Sequence, residues 1–182
     1  QALYKEAPFD GVIGTDDGTL ELATIVATAL DLPTNPPLST KISRRKDHSR
    51  VVQKNSGLRT PWFQSVAVSS SNGSSIPAGV SYPCVAKPVT LSASCGVIRT
   101  NDHQELVTAL ARIAKIIESA GPEHPRVVLV EEYISGSEYV VEGLLHGGNW
   151  QTIAIFGKPD PLEGPFFEET IYIAPPNLEP RI

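Results

Sequence analysis

A lysine at the end of a short apolar run is the first residue of this sequence whose position suggests chemistry. In "YPCVAKPVTLSASCGVIR", residues 82–99, Lys87 stands where a buried strand would stop, and small residues follow it as far as Gly96. The lysine stem can pack while its ammonium faces a cleft. Backbone amides in the small-residue stretch, with the hydroxyls of Ser92 and Ser94, suit a phosphate group. A lysine lying along the surface beside an ordinary turn would give the same pattern.

A second set of chemical groups follows a second apolar strand. In "VLVEEYISGSEYVVEG" the strand ends on Glu131 and Glu132, and a G-x-E pattern places Glu138 beyond a glycine turn. A carboxylate and neighbouring backbone groups at a strand end can bind a base that carries an exocyclic amine. A carboxylate beyond the turn can accept hydrogen bonds from ribose hydroxyls. The alternative is that these acidic residues only solvate the end of the strand.

Hydrophobic spacing predicts the elements that position these groups. The clearest is a helix over residues 101–121, in which Asp102 and Glu105 have the spacing of a capping box and a glycine–proline pair ends the helix. One apolar stripe runs along this helix, formed by Leu106, Leu110, Ile113 and Ile117. The predicted strands are 84–87, 97–99 and 126–134, with a hairpin over 138–158 that turns at "HGGN".

The first part of the chain predicts a different arrangement. "FDGVIG", residues 9–14, is typical of a short buried strand, and residues 19–32 carry apolar side chains at helical spacing. The prolines of "PTNPP", residues 33–37, end that helix. A second helix is predicted over 44–56, followed by an extended segment over 58–63. This order indicates the end of an α/β domain that leads into an α+β lobe.

Composition argues against several classes of partner. A formal charge of −5 disfavours nucleic acid, because binding to a phosphate backbone requires a basic surface. The sequence has no apolar run of the roughly 18–20 residues that a membrane span needs, and no signal-peptide pattern. Cys84 and Cys95 lack the spacing of a metal site and suit a reducing compartment, which predicts a cytoplasmic location. Because the sequence begins at Gln1 and contains no methionine, we expect it to be a piece of a longer protein.

The lysine strand, the long helix and the acidic strand end, in this order, resemble the ATP-grasp superfamily, and within it the carboxylate–amine ligases. The resemblance covers nearly the whole chain and implies an α+β fold with an α/β beginning. Residues 1–38 would be the end of a preceding Rossmann-like domain. Residues 39–130 would form the N-terminal ATP-grasp lobe, and residues 131–182 the hinge and the start of the C-terminal lobe.

The resemblance also implies roles in binding ATP. Lys46, in "SRRKDHSRVVQKNSGLRTP", matches the family's first phosphate-binding lysine, and Lys87 matches the lysine that reaches the α and β phosphates. Glu131 would take the adenine amine and Glu138 the ribose. Ser92, Ser94 and Gly96 would belong to the loop that covers the phosphates. The adenine edge would be lined by the backbone of Glu132, Tyr133 and Ile134.

Three positions near the C-terminus extend the resemblance. Lys158 closes the hairpin and matches a lysine that reaches the triphosphate in several relatives, although a surface hairpin lysine fits as well. Glu169 and Tyr172 stand where residues near the carboxylate substrate occur in the amine-ligase branch. Charged residues beside a proline-bounded strand are also common on plain surfaces.

Two departures from the family pattern are visible. The loop "TLSASCG" keeps only Gly96 where the family is glycine-rich, which reduces backbone freedom. The family's magnesium ligands lie beyond the region that this chain covers. No residue of the sequence is therefore predicted as a metal ligand, and none as a catalytic residue.

The implied function is that of an ATP-dependent ligase that forms a carbon–nitrogen bond through an acylphosphate, with ATP and Mg²⁺ as cofactors. Its partners would be a carboxylic acid and an amine or amino acid, with no nucleic acid and no membrane; a homodimer is left open. The glycine-poor loop keeps open a nucleotide-binding module without ligase activity. A phosphotransferase is the third alternative.

Overall fold

A computed structural model describes residues 2–69, 76, 78–161, 163–167 and 170–177. Helices and strands are mixed along the chain, which confirms the predicted α+β fold class. The helices are α1 (Ala2–Glu6), α2 (Leu20–Ala29), α3 (Pro37–Arg44), α4 (Lys46–Asn55) and α5 (His103–Ala120). The strands are β1 (Phe63–Ala67), β2 (Cys84–Pro88), β3 (Ile98–Thr100), β4 (Val127–Glu132), β5 (Glu138–His146) and β6 (Asn149–Lys158).

Four strands form one antiparallel sheet in the order β1-β4-β2-β3. The strand β4 is central, so it pairs on one side with β1, where Phe63 lies opposite Glu131, and on the other with β2. Val85 of β2 lies opposite Glu131, and Lys87 lies opposite Leu129. This register places the end of β4 beside the lysine strand that the sequence singled out.

The two faces of this sheet have different roles, because successive side chains on a strand point to opposite faces. One face packs against α5 and joins the hydrophobic core through Cys84, Ala86, Val128 and Val130. The residues that alternate with these lie on the other face: Val85, Lys87, Leu129 and Glu131. The helix α4 contacts this second face, since Arg50 reaches Glu131.

The helix α5 confirms the sequence prediction closely. The Asp102 carboxylate accepts a hydrogen bond from the Glu105 amide at 2.8 Å, and the Glu105 carboxylate accepts one from the Asn101 amide at 2.7 Å. All four residues of the apolar stripe are buried. Burying a side chain of this size stabilises a fold by about 1.5–3 kcal/mol, so the stripe anchors α5 to the sheet.

The predicted hairpin is also present. The strands β5 and β6 form a separate two-stranded sheet, and the turn between them uses Gly147 and Gly148 at φ values of 57° and 80°. Two successive residues with positive φ make the tight turn that matches the twist of paired strands. Several large apolar side chains of this hairpin are exposed: Val141, Leu144, Leu145, Trp150 and Ile153.

The predicted strand over residues 9–14 was wrong. The backbone there is irregular, and Ile13 is 87% exposed. A buried strand must place its amides and carbonyls on neighbouring strands, and no strand of the described residues pairs with this segment. The apolar composition of "FDGVIG" therefore predicted a buried strand that the described residues do not form.

The proline run was interpreted too simply. The helix α2 already ends at Ala29, before the first of these prolines, and the last of them, Pro37, is the first residue of α3, a helix that the sequence analysis missed. Proline is favoured at a first helical position, where its missing N–H is not needed. The hydroxyls of Thr24 and Thr40 lie 3.0 Å apart in the buried contact between α2 and α3. The predicted domain boundary between residues 38 and 39 thus falls inside α3 and stays a prediction.

None of the helices in the described part of the chain is both long enough and apolar enough to cross a membrane.

Candidate functional site

A cleft lies where the end of β4 meets the hairpin. Its volume is about 400 Å³, which falls within the roughly 300–1,000 Å³ of small-molecule sites. Both sheets and the loop over residues 90–97, which we call the 90–97 loop, contribute to its walls. The lining residues are Val85, Lys87, Ser94, Val97, every residue from Glu131 to Glu138, Lys158 and Phe167.

Glu131 is the most buried charged group of the cleft, with a side chain that is 7% exposed. Its carboxylate is held between two cations. The Lys87 ammonium donates to Oε1, and the Arg50 guanidinium donates from Nε to Oε2 at 2.9 Å. Burial by itself would raise the pKa of Glu131, but the hydrogen bond from Arg50 and the charge of Lys87 outweigh it and lower the pKa. Glu131 is therefore an ionised acceptor at neutral pH.

Lys46 lies near Lys87, at the start of α4. Its backbone amide donates to the Val89 carbonyl at 3.0 Å, and its ammonium donates to the Leu91 carbonyl at 2.5 Å. Burial and the nearby charge of Lys87 lower the pKa of Lys46, and Asp17 and Glu131 oppose this shift. Two cations thus stand close together where the 90–97 loop begins.

The 90–97 loop reaches its shape with few glycines. Ala93 and Ser94 adopt left-handed backbone angles, with φ values of 50° and 54°. Gly96 has φ of 76°, and a Cβ there would lie 3.0 Å from Cγ of Pro88. The amides of Cys95 and Val97 donate to carbonyls within the loop, both at 3.1 Å. These two amides are therefore engaged by the loop itself.

The segment after β4, which was predicted to line a base, is tied to both neighbouring strands. The Glu132 amide donates to the Trp62 carbonyl at 2.9 Å, and the Tyr133 amide donates to the Pro83 carbonyl at 3.3 Å. The Arg99 guanidinium lies 4.2 Å from the centre of the Tyr133 ring. Ile134 is 70% exposed beside the cleft. The backbone of Glu132 and Tyr133 is therefore fixed, whereas the Ile134 side chain is exposed beside the cleft.

The hairpin supplies the opposite wall. Glu138 and Lys158 are register partners across β5 and β6, and the Lys158 ammonium donates to the Glu138 carboxylate at 2.5 Å. The same ammonium lies 5.2 Å from the centre of the Tyr172 ring. Tyr172 is held beside β6, because the next residue, Ile173, exchanges hydrogen bonds with Gly157 at 2.9 and 3.0 Å.

The structure brings most of the predicted site residues to one cleft: Lys87, Ser94, Glu131, Glu132, Tyr133, Ile134, Glu138 and Lys158. Lys46, Ser92 and Gly96 do not line the cleft, but they touch or belong to the loop beside it. Tyr172 contacts Lys158 rather than the cleft. Glu169 lies outside the described residues.

Arg50 is the charged residue of this site that the sequence analysis missed. One signal was present in the sequence: it follows Lys46 by four residues on α4, which places both side chains on one helix face. Its partner Glu131 is 81 residues away along the chain, so the sequence alone did not connect them. Within the described residues, no group of three or more His, Cys, Asp or Glu side chains is placed to hold a metal ion.

The cleft sits inside a recognisable domain. Residues 80–181, more than half of the chain, match the model of the ATP-grasp domain family, and the chain belongs to that family. A D-alanine–D-alanine ligase of Syntrophotalea carbinolica is 29% identical over 148 residues, which cover 81% of this chain and 43% of that protein. The vancomycin/teicoplanin A-type resistance protein VanA of Enterococcus faecium is 31% identical over 137 residues, which cover 75% of this chain and 34% of that protein.

Solved structures agree with this assignment. An L-amino acid ligase from Bacillus licheniformis superposes with a TM-score of 0.80 and 31% identity, over 98% of this chain and 42% of that one. A D-alanine–D-alanine ligase from Bacillus anthracis, complexed with ATP, has a TM-score of 0.60 at 19% identity over 85% of this chain and 50% of that one, and shows likeness of fold alone. The chain spans less than half the length of the curated relatives it matches.

Proposed function

We propose that the protein is the ATP-binding part of an ATP-dependent carboxylate–amine ligase. One observation carries the proposal: in a chain of the ATP-grasp family, Lys87, ionised Glu131 and the Glu138–Lys158 pair converge on one cleft of about 400 Å³. The relatives named above include ligases that join amino acids, by their names. The cleft combines cations and carboxylate acceptors, which a purine triphosphate requires.

Each wall of the cleft would contact a different part of ATP. The Glu131 carboxylate would accept from the adenine amine, and the backbone after β4 would run along the base. Glu138 would accept from the ribose hydroxyls. Lys46 and Lys87 would neutralise the phosphates, with Lys158 approaching from the hairpin, because phosphoryl transfer depends on positioning and on charge stabilisation.

The proposed reaction has two steps. The carboxylate oxygen of the acid attacks the γ-phosphorus of ATP, ADP leaves, and an acylphosphate remains on the acid. The amine nitrogen then attacks the carbonyl carbon and inorganic phosphate leaves, which forms the amide or peptide bond. Within the described residues no group of three or more His, Cys, Asp or Glu side chains could hold a metal ion, and we assign no step to Mg²⁺.

We keep the organisation predicted from the sequence as part of the proposal: residues 39–130 as the first lobe and 131–182 as the hinge with the start of the second. Residues 1–38 would end a preceding domain. The protein would work in the cytoplasm on a carboxylic acid and an amine or amino acid, and a homodimer stays open.

A nucleotide-binding module without ligase activity is the second candidate. The observation that favours it is the 90–97 loop, whose amides at Cys95 and Val97 bond within the loop rather than facing the cleft. In this alternative the cleft binds ATP but the loop never releases these amides to the phosphates.

Measuring ADP release by the full-length protein, over pairs of carboxylic acids and amino acids, tests the proposal. We expect ADP only when an acid and an amine are both present, and a matching amide product. ADP release with ATP binding but without any need for an amine would indicate a phosphotransferase. ATP binding without ADP release over the whole panel would indicate the binding module.

A further inference from the structure

We propose that Arg50 is a positioning residue that fixes the Glu131 carboxylate as an acceptor and so makes the cleft prefer adenine over guanine. The proposal rests on the proposed function, since it concerns the base of the nucleotide that the cleft would bind. The contact of Arg50 with Glu131 joins α4 to the central strand of the sheet.

Arg50 contacts both oxygens of the Glu131 carboxylate, whereas Lys87 contacts one. Arg50 donates from Nε to Oε2 at 2.9 Å and from Nη2 to Oε1 at 3.5 Å, so the planar guanidinium faces both carboxylate oxygens. Lys87 contacts Oε1 through a single ammonium. A planar two-point contact fixes the orientation of a carboxylate, whereas an ammonium acts as a point charge.

The two cations also differ in what else they do. Lys87 is the residue proposed to reach the phosphates, so nucleotide binding would draw its ammonium away from Glu131. Arg50 would remain, because its guanidinium is also held by the Gln53 side chain, whose oxygen accepts from Nη1 at 2.9 Å. Arg50 thus keeps Glu131 paired and oriented when Lys87 turns to the triphosphate.

The orientation and charge of Glu131 decide which purine fits. An ionised carboxylate only accepts hydrogen bonds, so it suits the adenine amine and repels the guanine oxygen at the same ring position. The charged groups near Glu131 are Arg50 and Lys46 from α4 and Lys87 from β2. Without Arg50, burial would raise the pKa of a carboxylate that has lost Lys87 to the phosphates, and a protonated carboxyl can also donate.

The experiment is calorimetric titration of the full-length protein with ATP and, separately, GTP. Wild type should prefer ATP, and Arg50→Gln should lower the ATP-to-GTP preference by roughly tenfold or more, the scale of one hydrogen bond to a charged group. Arg50→Lys should fall between the two, because it keeps the charge and loses the two-point contact. Arg126→Gln is the matched control, since Arg126 pairs with Glu118 at 3.3 Å on the exposed surface; its preference should equal that of wild type.

A double substitution separates positioning from a general structural effect. In a Glu131→Gln background the amide can donate as well as accept, so the preference for ATP should already be lost. Adding Arg50→Gln should then change it no further. A further drop would mean that Arg50 acts on the base by another route and would overturn the proposal.

The outcomes distinguish the two proposals. Wild type that binds neither nucleotide contradicts the proposed function itself. Wild type that prefers ATP, together with a folded Arg50→Gln protein of unchanged preference, overturns only the role of Arg50. If circular dichroism shows that Arg50→Gln does not fold, Arg50→Lys decides, and a preference equal to that of wild type overturns the proposal.

Discussion

Two lysine–glutamate pairs face the same cleft from opposite walls, and the scaffold beneath each is different. Lys87 and Glu131 stand on neighbouring strands of the four-stranded sheet, where Glu131 is 7% exposed and Arg50 supplies a second cation. Lys158 and Glu138 stand on the two-stranded hairpin, where Lys158 is at least as buried as Lys87 but Glu138 is 46% exposed. A lysine and a glutamate thus belong to a buried network with Arg50 on the sheet, and form a partly solvated pair on the hairpin.

The difference shows how burial changes what a salt bridge does. Removing one member of a buried ion pair leaves a charge that water cannot reach. Removing one member of an exposed pair costs little free energy, because water replaces the lost contact. The wall formed by Lys87 and Glu131, which we call the sheet wall, is therefore expected to have a fixed charge pattern. The wall formed by Glu138 and Lys158, which we call the hairpin wall, is expected to tolerate substitution and to adjust to a ligand.

The largest expected effect is on stability. Glu131→Ala leaves Arg50 and Lys87 without their shared partner and should lower the free energy of unfolding by about 3 kcal/mol. Glu138→Ala should change it by about 1 kcal/mol or less. Urea unfolding of both variants measures the difference. Equal losses would show that burial does not separate the two walls.

The next effect is on ATP affinity. Lys87→Ala should weaken ATP binding by roughly 10- to 100-fold, the scale of a hydrogen bond to a charged group, and Lys158→Ala should weaken it less because the hairpin can adjust. Titration with ATP checks both, and Lys115→Ala on the exposed face of α5 is the control. An unchanged affinity in Lys87→Ala would contradict the proposed phosphate role.

A third test asks whether the 90–97 loop shares the rigidity of the sheet wall. Gly96 and Gly57 have nearly the same φ, 76° and 77°, but a Cβ at Gly57 would have nothing within 4 Å. Gly57→Ala should cost about 1 kcal/mol through backbone strain alone. Gly96→Ala should cost about 2 kcal/mol, because the new methyl group also meets Pro88. Equal losses in urea unfolding would show that the loop moves away from Pro88 freely.

The smallest expected effect is a change of ATP affinity with pH, through Lys46 beside the sheet wall. Burial and Lys87 lower the pKa of Lys46, so Lys46 loses its proton at a lower pH than a free lysine does. ATP affinity should therefore fall by a few-fold as pH rises through that pKa. Lys46→Arg stays charged and should keep its affinity over the same range. Parallel pH profiles for the two proteins would exclude Lys46 as a phosphate contact.

The parts of the fold that the sequence predicted are those fixed by neighbours along the chain. The cap at Asp102, the apolar stripe of α5 and the Gly147–Gly148 turn each depend on residues a few positions apart. Residues 9–14 show the limit. Their composition suits a strand, but a strand exists only where another strand accepts its hydrogen bonds, and local composition contains no information about that partner.

The site shows the same limit. Lys87 and Glu131 were found because each ends an apolar run, which is a local pattern. Arg50 was missed because its one local signal, the four-residue spacing from Lys46, does not point to Glu131, which lies 81 residues away. The loop was predicted to have reduced backbone freedom because it keeps only Gly96, and the left-handed angles of Ala93 and Ser94 could not be inferred from side-chain type.

The position of Glu131 near the end of a central strand limits which parts of the cleft can move together. Hydrogen-bonded strands flank it on both sides, with Phe63 and Val85 as its register neighbours. If the hairpin pivots about residues 133–137, Glu131 stays behind, because following would require breaking both ladders. In the proposed ligase, choosing the nucleotide and enclosing it would be separate events. Changes in the hairpin would alter how long a nucleotide stays, and changes beneath Glu131 would alter which nucleotide enters.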